Sequence, residues 1–215
     1  MTEKIIETEY DVTKKSRILR FYDSNKKKIF STISIIIIII ISIAVYLNIK
    51  EKNRILISEN YIEAKIYLEK GEKEKARDLL REIIKSNDST YSLLSLYLIQ
   101  QQRLIDDHRE LSNLYEYALK EIKFKKEEKE LLIFKKALID SNFLDESELL
   151  KLLSPLTSGD SVWKIHALLF LGDYFYEKKE NFKAKEFYLK ILDIKDLNKE
   201  IYSQVQNQLS LLNND

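Results

Sequence analysis

The sequence contains no cysteine, three glycines and one proline in 215 residues. Without cysteine there is no disulfide framework, thiolate nucleophile, Cys-based zinc site or lipid-modified N-terminal Cys. Sandwiches and barrels need Gly, Asn-Gly or Pro at their corners, and nucleotide-binding α/β folds need a Gly-rich phosphate loop; three glycines supply neither. What remains is an all-α chain of helices joined by short polar loops. Histidine is almost as scarce. His108 and His166 are the only two, and no second His or Cys stands beside either at metal-ligand spacing. Asp106-Asp107-His108 reads as a helix N-cap with dipole-favoured carboxylates, and His166, three residues after Trp163, reads as a packing residue. No catalytic, cofactor-binding or metal site is expected, and the chain is read as a non-enzyme.

The formal charge of +1 conceals an uneven distribution. Residues 1–28 carry eight Lys/Arg against five Asp/Glu, residues 50–215 carry twenty-eight against thirty, and residues 29–49 carry no charge. That neutral stretch of 21 residues holds eleven Ile, seven of them consecutive at 35–41. As a helix rising about 1.5 Å per residue it covers roughly 31 Å, the thickness of a bilayer's hydrocarbon core. The organisation expected is therefore a basic tail at 1–28, a transmembrane signal anchor at 29–49 and a helical domain at 50–215. A cleaved signal peptide is the competing reading, since Ser42-Ile43-Ala44 loosely resembles a cleavage site. Its n-region would be 28 residues long, and the apolar run continues beyond the site. Lys14, Lys15, Arg17, Arg20 and Lys26, Lys27, Lys28 before the span outweigh Lys50, Lys52 and Arg54 after it. The positive-inside rule then predicts a cytoplasmic N-terminus with the helical domain on the far side, in a bacterium the periplasm. A nucleic-acid partner is not expected, because no basic stripe extends the Lys26–Lys28 cluster.

Beyond the span, apolar residues recur at i, i+3, i+4, i+7 and i+8. Ala76, Leu79, Leu80, Ile83, Ile84 form one set and Leu111, Leu114, Tyr115, Ala118, Leu119 the next. Leu149, Leu152, Leu153 follow, cut short by Pro155, with Leu156 beyond, and Ala184, Phe187, Tyr188, Ile191, Leu192 close the series. The sets begin 35, 38 and 35 residues apart. A period of this length, with one amphipathic helix in each unit, predicts an α-solenoid of about four helical hairpins. The partner helix of each hairpin comes first. Ile57, Tyr61, Ala64 and Leu68 mark one; residues 91–99, apolar nearly all round, predict a helix sandwiched between layers. Leu131, Phe134 and Leu138 are expected to face inward on the third, and the fourth runs over 162–177. Ile201, Val205, Leu209 and Leu212 form a terminal cap. Gly71 is placed in a hairpin turn needing positive φ, and Gly172 where a neighbouring helix approaches closely. Pro155 is expected to end a helix at Ser154, with Gly159 in the loop 157–160. The mixed run Lys125-Lys126-Glu127-Glu128-Lys129-Glu130 reads as a solvated helix start.

Leu171, Gly172, Ala184 and Tyr188, with Phe175 between, resemble a tetratricopeptide repeat, and Ala64, Tyr67, Gly71, Ala76 and Leu80 take the same relative places in the first hairpin. The middle hairpins match by period alone. Tyr174, Tyr176 and Phe182 are candidate partner-binding aromatics, with packing between repeats as the alternative. The Lys/Asn carboxylate clamp of cytosolic chaperone-binding repeats is not matched, since Tyr61, Lys65, Leu169 and Asp173 stand at its positions. The whole layout is similar to the ancillary SecYEG translocon subunit family of Gram-negative bacteria, through the tail 15–30, the segments 91–99 and 152–163, and the run 167–184. That resemblance implies partnership with translocon subunits, periplasmic chaperones and exported clients at the inner membrane. Two alternatives stay open: a receptor or adaptor with its repeats in the cytosol, and a cell-division or envelope coordination scaffold.

Overall fold

A computed structural model describes residues 17–212. Lys14 and Lys15 of the basic flank lie outside them. The described residues form nine helices and no strand: α1 Arg17–Glu69, α2 Lys73–Lys85, α3 Ser89–Gln101, α4 His108–Glu121, α5 Lys126–Asp140, α6 Glu146–Thr157, α7 Lys164–Glu177, α8 Asn181–Leu192 and α9 Lys199–Leu212. The chain divides into two compact units, with the boundary between Ile55 and Leu56.

The first unit carries the apolar stretch of α1. It is the one described helix long and apolar enough to cross a membrane, with a mean hydropathy of 2.7 over its most apolar window. Ile35, Ile36, Ile37, Ile38, Ile39, Ile40 and Ile41 are all exposed.

In the second unit, Ile57, Tyr61, Ala64 and Leu68 of α1 share an apolar cluster with α2, and α3 pairs with α4, α5 with α6 and α7 with α8, while α9 covers α8. From α2 onward packing runs from each helix to the next in sequence, so this is a helical-repeat stack of four hairpins and a cap. The periodic apolar residues form its seams. Ala76, Leu80, Ile83 and Ile84 of α2 are buried with Ala64, and Ala184, Tyr188 and Ile191 of α8 with Leu171 and Phe175. Val205, Leu209 and Leu212 close the end from α9.

Three hairpins share one turn. The N–H of Glu72 donates to the carbonyl of Tyr67 (2.9 Å), that of Leu104 to Ile99 (3.0 Å) and that of Glu180 to Phe175 (2.8 Å). Each bond reaches back five residues across a left-handed residue: Gly71 at φ +77°, Arg103 at +48° and Lys179 at +61°. This is the Schellman closure of a helix C-terminus. Only the first of the three has glycine there, although any residue with a Cβ is strained in this region.

Four expectations need correction. Helix α6 does not stop at Ser154; Pro155 lies inside its last turn. Proline there forfeits a single backbone bond, and continuing the helix buries Leu156 completely, a gain of about 1.5–3 kcal/mol. The Ser158 N–H and hydroxyl both donate to the Ser154 carbonyl and close the end. Helix α5 turns Leu132 and Ala137 into the core rather than Leu131 and Leu138, the second of which is exposed; Phe134 is half-buried. The Lys125–Glu130 run is not solvated throughout, because Glu130 is buried and accepts from the Ser161 hydroxyl (2.8 Å). Helix α3 is not covered on all sides: Leu96 and Ile99 are buried, but Leu94 and Tyr97 face solvent.

Candidate interaction surface

Side chains join the hairpins in two rows. In one, the first helices touch each other. Tyr91 of α3 tilts against Tyr61 of α1, ring centroids 5.8 Å apart, and its hydroxyl donates to Ser58 (2.8 Å). Phe134 of α5 stacks on Trp163 and meets Phe170 of α7 edge-on. Gln208 of α9 reaches Asp173 of α7. In the other row, Arg81 of α2 pairs with Glu110 of α4, and Lys183 of α8 pairs with Glu146 of α6 (2.7 Å). Hydrogen bonds to Glu146, then to Glu180, raise the Lys183 ammonium above its usual pKa.

The repeat-signature residues fall in two apolar clusters, Ala64 and Ala76 in one and Leu171, Ala184 and Tyr188 in the other. Ala64, Ala76 and Ala184 are fully buried, Leu171 is nearly so, and Tyr67 is half-buried at the first turn with its hydroxyl on Glu63. Gly172 faces Tyr188: a Cβ on it would lie 2.4 Å from Cε1 of that ring. The Tyr188 hydroxyl donates to Asp173 (2.6 Å), and burial, followed by that carboxylate, pushes its pKa up. Burial likewise raises Tyr115, whose hydroxyl donates to Gln100.

The three candidate aromatics fall in different environments. Tyr174 is buried against Phe175 with the Lys178 ammonium over its ring, Tyr176 is half-buried against the core, and Phe182 is 94% exposed at the start of α8. At the positions compared with the carboxylate clamp, Asp173 is engaged by Tyr188 and Gln208, and Leu169 is buried.

Both histidines sit on rings. His108 stacks on Phe143, after Asp107 caps α4 by accepting from the Arg109 N–H (2.8 Å), and His166 lies between Trp163 and Phe134. Among the described residues no group of three His, Cys, Asp or Glu is placed to hold a metal ion.

One polar cluster was not legible from spacing. Lys136 and Asp140 of α5 form a buried pair at 2.6 Å, and Ser112 of α4 bonds both, accepting from the ammonium (2.8 Å) and donating to the carboxylate (2.8 Å). Their i,i+4 spacing was the available signal, but it looks like a surface pair until α4 is laid over it.

Several cavities open along the stack. A cleft of mixed lining between the α6–α7 loop and the end of α8 sets Asp160, Lys164, Lys190 and Asp193 beside Ile165 and Ile194. An apolar slot of about 220 Å³ lies between α3 and α5, lined by Leu93, Leu94, Tyr97, Tyr115, Leu131 and Lys135 among others. Compared with known proteins, the chain matches no family model, no curated protein and no solved structure.

Proposed function

We propose that this protein is a membrane-anchored helical-repeat scaffold that binds other proteins and does no chemistry of its own. The observation that carries this reading is the conjunction of one lipid-length apolar helix with a stack of four hairpins in the same chain. Repeat stacks offer long side-chain surfaces rather than a single enclosed reaction site. Tethering such a surface to a bilayer raises the local concentration of any partner at that membrane, so modest contacts give useful occupancy.

In its specific form the reading places the N-terminus in the cytoplasm and the repeats in the periplasm. The basic flank before the span and the resemblance to the ancillary SecYEG family support it. The partners are then translocon subunits, periplasmic chaperones and newly exported chains. Protease added to intact cells and to spheroplasts tests the geometry: the repeats are expected to be cut only in spheroplasts. Protection in spheroplasts would place them in the cytosol and overturn it. Crosslinking in membranes tests the partners, and recovery of division or envelope proteins instead of translocon subunits would replace the translocon assignment.

A further inference from the structure

The second hairpin departs from the rest of the stack and leaves a surface uncovered. Six residues, 102–107, join its helices where three join those of the first and fourth hairpins. Helices α3 and α4 touch more sparingly than any other consecutive pair from α2 onward. Where α1 meets α3 through tilted rings and α5 meets α7 through edge-on ones, the apolar slot lies between α3 and α5. Helix α3 has the composition of a helix covered on every side, yet Leu94 is 39% and Tyr97 53% exposed beside it.

The lining states what would fill it. At about 220 Å³ the slot is below the roughly 300–1,000 Å³ of small-molecule sites and accommodates apolar side chains instead. Tyr115 spends its hydroxyl on Gln100 and presents only its ring. The exception is Lys135. Its neighbour Lys136 is held by Asp140, whereas Lys135 lines the slot with no ion-pair partner among the described residues.

We propose that the α3–α5 slot docks a polypeptide segment of amphipathic, acidic character: a large apolar side chain enters between Leu94, Tyr97 and Leu131, and a carboxylate beside it pairs with Lys135. This rests on the scaffold reading and names the chemistry of its partner. Like helix-in-groove recognition, it combines an apolar anchor with a charge that sets register and rejects basic segments.

The test uses the full chain in lipid nanodiscs and labelled synthetic peptides read by fluorescence anisotropy. One peptide set carries Leu and Phe with Glu, a second the same apolar residues with Lys, and a third Glu with Ser at the apolar positions; a fluorescent fatty acid is the fourth probe. The first set is expected to bind best. Lys135→Glu should weaken it about tenfold and strengthen the Lys set, by exchange of attraction for repulsion. Tyr97→Ala should weaken both, and Lys185→Glu on α8 should change neither. Leu94 and Tyr97 are partly exposed, so their variants keep the core, which circular dichroism verifies. Equal binding of all peptide sets, insensitivity to Lys135→Glu, or Tyr97-dependent uptake of the fatty acid in place of peptide would each overturn the site. If translocon or chaperone crosslinks persist in cells in that event, the scaffold reading stands without the slot; if they too are lacking, both fall.

Discussion

Lys179 holds at the turn of the fourth hairpin the same left-handed backbone that Gly71 holds at the turn of the first, φ +61° against +77°. The flanking bonds match as well: Gly71 N–H to Leu68 and Lys179 N–H to Tyr176, at 3.0 and 2.9 Å. One backbone geometry is thus met by two residues of unequal conformational cost.

Exchanging them should have opposite effects. Lys179→Gly is expected to stabilise the repeat unit and Gly71→Ala to destabilise it, each by about 0.5–1 kcal/mol. A Cβ at position 71 meets no atom within 4 Å, so the effect is conformational rather than steric. Urea unfolding of the full chain in mild detergent, followed by fluorescence of Trp163, the only tryptophan, measures both. Equal midpoints for Lys179→Gly and the parent would refute the strain argument.

Gly172→Ala is a steric experiment. The added methyl would overlap the Tyr188 ring, which is fully buried and cannot swing away without leaving the α7–α8 seam. A loss of about 1–3 kcal/mol is expected. Combining Gly172→Ala with Tyr188→Leu should recover part of it, whereas strictly additive losses would show that the methyl acts elsewhere.

Alkaline pH should weaken the fold. Burial raises Tyr115 above the ordinary phenol value of 10.0, and burial followed by Asp173 raises Tyr188 above it. The unfolded chain releases these protons near pH 10 while the fold still retains them. Stability is therefore full below that pH and falls as pH rises past it, by up to about 1.4 kcal/mol per pH unit for each phenol. Denaturant midpoints between pH 8 and 11 test the slope, and Tyr188→Phe should flatten it.

The Lys136–Asp140 pair separates a buried ion pair from a surface one. Lys136→Met leaves a buried carboxylate with Ser112 as its remaining partner and is expected to cost about 3–5 kcal/mol. Adding Asp140→Leu should restore much of that stability. A single-variant loss below about 1 kcal/mol would mean that water reaches the pair and that it behaves as exposed.

Legibility followed the range of the interactions concerned. In α2 and α8 charged residues alternate with apolar ones, so one face alone can be buried and Ala76, Leu80, Ala184 and Tyr188 could be assigned from spacing. Helix α5 carries Leu131, Leu132, Ile133 and Phe134 in succession, and a continuous run has no period to read; which of them enters the core depends on α4 and α6. At Pro155 the local rule against proline predicts a stop that the burial of Leu156, one residue on, outweighs. Glu130 and Asp140 were indistinguishable from solvated carboxylates until Ser161 and Ser112 were brought to them from 31 and 28 residues away.

The amino-acid sequence by itself determined the lipid-length helix, the hairpin count, the turn at Gly71 and the need for a small residue at position 172. Each depends on composition or on spacings within a few helical turns, where the backbone alone brings residues together. The tertiary structure decided which side of α3 stays open, where Lys136 and Asp140 are sealed, and that Lys135 lines an apolar slot with no ion-pair partner among the described residues. Those outcomes turn on how far apart neighbouring helices settle, a distance set by the summed packing of many side chains that no local pattern encodes.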